Sequence, residues 1–180
     1  MGDDGTQIIR RVVTGHDAQG RAVVLSDGPA RVHQLGRPGM SLGDVWATSD
    51  YPPRITASEA DPAGQALDFT IKERGTRFRI LESSPGGEDA EPWMHRTRTI
   101  DYAYVIEGEM CLLLDEGVEV VLREGDTVIQ RGTNHAWVNR SGRTCRMLFV
   151  MMGAEFAPDL ADLELFSPEA LKAKLTGAED

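Results

Sequence analysis

Between Trp93 and Met152 the chain is cut by glycine-centred turns so often that no long element fits. Ile100 to Ile106 ends at Glu107-Gly108-Glu109, Met110 to Leu114 at Asp115-Glu116-Gly117, and Val118 to Leu122 at Glu124-Gly125-Asp126. Thr127 to Gln130, Ala136 to Asn139 and Thr144 to Met152 follow. Short apolar runs bounded by turn residues are strand signals. Packed this closely, they predict an all-β antiparallel sandwich or barrel.

The flanks add to this plan. Ile8 to Val13 and Ala22 to Leu25 lie either side of Asp17-Ala18-Gln19-Gly20 and predict an N-terminal hairpin, stopped by Ser26-Asp27-Gly28-Pro29. Gly43 to Thr48 and Thr76 to Ser83 read as further strands. Ser49 to Gly64 holds Pro52, Pro53 and Pro62 and reads as a surface loop. One helix is predicted near the end. Ser167 can cap it, Pro168 suits its first turn, Leu171 and Leu175 lie one turn apart, and Gly177 stops it. The expected organisation is one globular domain: N-terminal strands and the Pro-rich loop over 1–69, a barrel over 70–153, and a tail with the helix over 154–180.

Charge narrows the partners. Nineteen Lys and Arg against 29 Asp and Glu give a net charge of −10. Such a surface repels phosphate backbones and anionic lipid, so neither nucleic acid nor a membrane is expected as a partner. No apolar run approaches the ~20 residues that span a bilayer. The first residues lack the pattern of a secretory leader. Cys111 and Cys145 sit in apolar strand-like runs and make no disulfide framework, which together with the missing leader predicts a cytoplasmic protein.

The chain has four histidines. His16 and His33 lie among turn residues and read as solvated. His95 opens the string His95-Arg96-Thr97-Arg98-Thr99-Ile100-Asp101, where an extended backbone puts His95, Thr97 and Asp101 on one face. His135 opens a later strand with Trp137 and Asn139 on its face. Val105 and Ala103 share the inward face of Asp101, and Tyr102 and Tyr104 fall on the opposite one, for packing or a subunit contact. Arg96, Arg98 and Arg131 are either surface charge or an attraction for an acidic substrate.

These two strings resemble the paired motifs of the cupin family. His95, Thr97, Asp101 and Gly108 follow the spacing of its first motif. Gly125-Asp126-Thr127-Val128-Ile129-Gln130-Arg131-Gly132-Thr133-Asn134-His135, continuing to Asn139, follows the second, one residue short and with Gln130 where the family commonly has proline. With the flanking strands the resemblance runs from about Thr70 to Met152. It implies a double-stranded β-helix, or jelly-roll barrel, carrying the N-terminal hairpin and short C-terminal helix as extensions. It also implies a pocket around His95, Asp101 and His135, and, by analogy, a homodimer.

The family's metal is held by two histidines, a glutamate and the second-motif histidine. Here Thr97 replaces a histidine, and a hydroxyl is a weak ligand for such ions. Asp101 is shorter than glutamate by one methylene. The resemblance therefore implies either a divalent metal (zinc, iron or manganese) on His95, Asp101 and His135, or no metal at all. Thr97, Trp137, Asn139 and Val105 are the candidate walls for a small-molecule ligand, and His135 and Asp101 the candidate proton carriers. The strings Val12-Val13-Thr14-Gly15-His16-Asp17 and Leu25-Ser26-Asp27-Gly28-Pro29-Ala30 add a narrower resemblance to small bacterial and fungal cupins. Some fungal members accompany aromatic polyketide pathways, which implies a dehydratase or isomerase role. A metal-assisted enzyme, with a dioxygenase as a variant, a non-catalytic binding barrel and a purely structural barrel all stay open at this point, because a fold does not transmit an activity.

Overall fold

The computed structural model describes residues 9–35, 39–57, 60–64, 71–86 and 92–163. Its strands are β1 (Arg10–His16), β2 (Ala22–Pro29), β3 (Arg31–Gln34), β4 (Met40–Thr48), β5 (Thr76–Ser83), β6 (Thr99–Glu107), β7 (Glu109–Leu113), β8 (Glu119–Arg123), β9 (Thr127–Arg131), β10 (Ala136–Val138) and β11 (Cys145–Gly153). A six-stranded sheet in the order β3-β4-β5-β11-β6-β9 faces a three-stranded sheet in the order β10-β7-β8. Hairpin β1-β2 forms a sheet of its own. All strand pairs are antiparallel.

Alternation within the strands explains this layering. On β6, Thr99, Asp101, Ala103 and Val105 are buried, while Tyr102 and Tyr104 point outward and are 46% and 42% exposed. Leu42, Leu81, Ala103, Val105, Met147 and Phe149 from the larger sheet meet Met110, Leu112 and Leu122 from the smaller one, and this is the core. A second, smaller cluster of Cys111, Leu113, Ala136 and Val138 lies on the other face of the small sheet, against Met94.

The expected strands are present, with three differences. β2 runs on through Ser26 to Pro29 instead of stopping there. In a two-stranded ribbon its last residue lies at an edge, where proline is tolerated, and Arg10 pairs with Asp27 across it at 2.7 Å. β3 was hidden by its shortness. His33 accordingly stands in a strand opposite Leu42, half-buried, and is not a solvated turn residue. β1 likewise runs on through Thr14 and Gly15 to His16, which stands exposed in a strand opposite Ala22, whereas residues 49–57 are exposed, as expected of a surface loop, and Asp61 beyond them holds Arg11 of the hairpin. The C-terminal helix expected from Ser167 to Gly177 lies outside the described residues. Among the described residues no helix is long and apolar enough to cross a membrane.

Charged groups enter the interior on the β4-β5 side. Asp44 and Arg79 face each other across the ladder and pair at 2.6 Å, both nearly without solvent contact, with Arg77 3.9 Å from the same carboxylate.

Candidate functional site

The two motif strings meet at one point. His95 and His135 form an isolated antiparallel bridge, each amide donating to the other's carbonyl at 2.9 Å. Their rings lie 4.3 Å apart, centroid to centroid. They continue into a line of aromatic contacts. Trp93 stacks on His95 at 4.7 Å, His135 meets Trp137 edge-on at 5.6 Å, and Trp137 meets Phe149 at 5.4 Å. Trp137 thus shares the inward face of His135, as expected.

The His95 Nδ1–H donates to the Trp93 carbonyl at 3.1 Å, which leaves Nε2 as a bare lone pair. The His135 Nδ1–H donates to the Thr133 carbonyl at 2.9 Å, and the Gln130 amide nitrogen lies 3.0 Å from Nδ1. Burial holds both rings below the ordinary histidine value. His135, which also feels His95, falls to about 3, although its bond to Thr133 acts the other way. Both imidazoles are therefore neutral at physiological pH.

Asp101 is 2% exposed and its Oδ1 has no hydrogen-bond partner. Burial pushes its carboxyl up to about 6, opposed by a hydrogen bond from Thr99. Thr97 is bonded to Thr99, oxygen to oxygen at 2.7 Å. Asp101 stands opposite Gln130 in the β6-β9 ladder, and directly opposed side chains share a face. Gln130, also 2% exposed, stands opposite Asp101 and has its amide nitrogen 3.0 Å from His135 Nδ1.

The structure brings His95, His135 and Trp137 together and places Thr97 and Asp101 in one row beside them. It does not gather Asp101 with the two histidines. Among the described residues no three His, Cys, Asp or Glu side chains cluster closely enough to hold a metal ion. The Thr97 hydroxyl is engaged by Thr99. The donor set does not fit an ion held by three protein ligands.

Val105 and Asn139 belong to the scaffold. Val105 is fully buried in the core. Asn139 closes the 139–143 turn, donating to the Ser83 and Arg143 carbonyls at 2.7 and 2.9 Å and accepting from Ser141. Arg96 lies 3.9 Å from Asp115, and Arg98 and Arg131 are exposed. Sequence reasoning missed Gln130, Trp93 and Phe149 as site neighbours. Alternation within Thr127 to Arg131 was the available signal for Gln130: it puts an amide on an inward face.

Two facing antiparallel sheets, of six and three strands among the described residues, with paired histidines at their motif strings define a cupin-type barrel. Comparison agrees. The Cupin domain family matches residues 79–151. Phomopsin biosynthesis cluster protein C′ of Diaporthe leptostromiformis is 38% identical over 158 residues, covering 81% of this chain and 78% of the relative. The cupin-domain-containing oxidoreductase fogC of Aspergillus ruber is 32% identical over 82% of this chain and 74% of its own. The cupin-domain-containing oxidoreductase srdD of Neurospora crassa is 29% identical over 86% and 80%. The chain belongs to the cupin family.

Proposed function

We propose that this cupin is an enzyme that relocates a proton on a small carbonyl-bearing, aromatic or polyketide-like compound, by isomerisation or loss of water. One observation carries this reading. A buried carboxyl raised to about 6 stands on the strand opposite Gln130, whose amide nitrogen lies 3.0 Å from the neutral imidazole of His135. A base is most useful when its pKa lies near the working pH. Asp101 removes the proton from the carbon beside the carbonyl. His135, whose Nδ1–H is given to the Thr133 carbonyl, presents a bare Nε2 that accepts a hydroxyl of the ligand. Protonated Asp101 then returns the proton, either to another carbon or to a departing hydroxyl, which leaves as water. The bare Nε2 of His95 accepts a hydroxyl of the ligand. The aromatic line from Trp93 to Phe149 supports a planar, apolar occupant. Relatives named for biosynthesis clusters support small-molecule chemistry.

The test is exchange of carbon-bound hydrogen. A panel of enolisable aryl ketones is incubated with the protein in D2O and followed by proton NMR. The reading expects exchange that survives EDTA and falls at least a hundredfold in Asp101→Asn, within the range measured for general acid–base groups. Ligands that bind without exchanging assign a non-catalytic barrel. Relatives named as oxidoreductases favour a second reading, redox chemistry on the same ligand. Oxygen uptake dependent on added iron, without exchange, selects it.

A further inference from the structure

His95 and His135 are fixed in the same form by the same device. Each gives its Nδ1–H to the carbonyl two residues before it, His95 to Trp93 at 3.1 Å and His135 to Thr133 at 2.9 Å. A neutral imidazole carries one hydrogen, so each Nε2 is a bare acceptor. The Gln130 amide nitrogen, 3.0 Å from Nδ1 and 3.5 Å from Nε2 of His135, lies over that ring and off the axis of its lone pair. Among the described residues no side chain donates to either Nε2. The shared backbone rung holds the two rings 4.3 Å apart, centroid to centroid, so one small molecule can reach both lone pairs. Trp93 stacks on His95 and Trp137 meets His135 edge-on, which puts an indole at each end of the pair. Two neighbouring acceptors are matched by an ion or by two O–H donors. A third protein ligand for an ion is not at hand among the described residues, and Thr97, at the position of a family histidine, has its hydroxyl on Thr99. Water can satisfy either nitrogen singly, but it gives no use to two acceptors locked side by side within a line of aromatic rings.

We infer that His95 and His135 together form a two-point acceptor for a ligand with hydroxyls on adjacent carbons of an aromatic ring, a catechol-type diol, each Nε2 accepting one O–H. Hydroxyls on adjacent carbons are the closest pair of donors an aromatic ring offers, which suits two rings in contact. The inference narrows the ligand class proposed above and rests on it, but its test reads binding and needs no turnover.

Histidine side-chain 15N NMR of the full chain at pH 7.5, in EDTA and without oxygen, reads each ring nitrogen as protonated or bare. Before ligand is added, both histidines should show a protonated Nδ1 and a bare Nε2. Catechol should move both Nε2 resonances along one binding curve. Guaiacol, in which a methyl group removes one donor, should bind at least tenfold more weakly, the effect of leaving one desolvated acceptor unmatched. Resorcinol, with its hydroxyls one carbon farther apart, should lose as much. In His95→Phe, which keeps a ring against Trp93 and removes the acceptor, catechol should lose its advantage over guaiacol. If that variant fails to fold, the ligand series on the parent protein still decides. Equal affinity for catechol and guaiacol overturns the inference, as does a response from one Nε2 alone or an Nε2 that carries hydrogen before ligand is added. Catechol that fails to bind in EDTA overturns it too, and recovery on adding zinc would make an ion the acceptor. Hydrogen exchange on the ketone panel then separates the two claims. Catechol bound as inferred, with no exchange on any ketone, keeps the diol site and removes the proton transfer proposed for Asp101. Exchange on the ketones with no preference for catechol does the reverse.

Discussion

His95 and His135 exchange both of their backbone hydrogen bonds, 2.9 Å each way, so one ladder rung fixes the two imidazoles relative to each other. Neither ring has to be ordered by a ligand. Holding catalytic groups in place before the ligand arrives is the main contribution a rigid scaffold makes to such a site. His135 is buried and His95 half-buried, and this withdrawal from water lowers the titration of both.

Asp101 should make the protein less stable as pH rises. Its folded value, about 6, lies above the ordinary 3.8, so the folded state holds the proton more tightly than the unfolded chain. That contribution is complete below about pH 4 and is lost by the time pH passes 6. At about 1.4 kcal/mol per unit it amounts to about 3 kcal/mol. Asp101→Asn cannot titrate. Its stability relative to the parent, from urea unfolding, should therefore rise by about 3 kcal/mol between pH 4 and pH 7. A constant difference across that range would show that the carboxyl is not held in its acid form.

His135 should act in the opposite sense. Its folded value is about 3, below the ordinary 6.5, so the unfolded chain takes up the proton first as pH falls. Its contribution is complete above pH 6.5 and drains away toward pH 3, by about 5 kcal/mol at most. His135→Gln should cost stability at pH 7 and lose most of that deficit near pH 3.5. Between pH 4 and 6 the slopes of Asp101 and His135 oppose each other, so the parent should vary less there than either variant.

How far the chain could be read follows from where its signals are local. β5 was legible residue for residue, because Pro85-Gly86-Gly87 stops the run from Thr76 to Ser83. β3 was not, since Arg31 to Gln34 is too short for a period to emerge and is a strand only because β4 pairs with it. The meeting of His95 and His135 was legible as spacing, through two motifs. The failure of Asp101 to join them was half-visible, as one missing methylene. Gln130 was noticed only as a departure from a family pattern. Its place, opposite Asp101 and beside His135 at once, is one that no one-dimensional spacing displays.

The ion pair between Asp44 and Arg79 should be a stability determinant. Both groups are about 95% withdrawn from water and bond at 2.6 Å. Removing one partner of a buried pair strands the other charge, at a cost of about 3–5 kcal/mol. Arg79→Leu should lose that much by urea unfolding, whereas Arg10→Leu at the exposed pair with Asp27 should change stability by less than about 1 kcal/mol.

Gly108 and Gly125 separate backbone strain from collision. Both have positive φ, +83° and +91°, so alanine at either position meets a strain of about 1–2 kcal/mol. At Gly125 a Cβ would find nothing within 4 Å. At Gly108 it would lie 2.5 Å from the Thr144 carbonyl oxygen and 2.9 Å from Cys145 Cα, both backbone atoms entering β11. Neither can yield without moving the strand that pairs with β5 and β6. Gly125→Ala should therefore lose only the conformational strain, while Gly108→Ala should lose at least twice as much and shift the amide resonances of Thr144 and Cys145. Equal losses at the two positions would mean that the close approach of the β6-β7 turn to β11 is absent in solution.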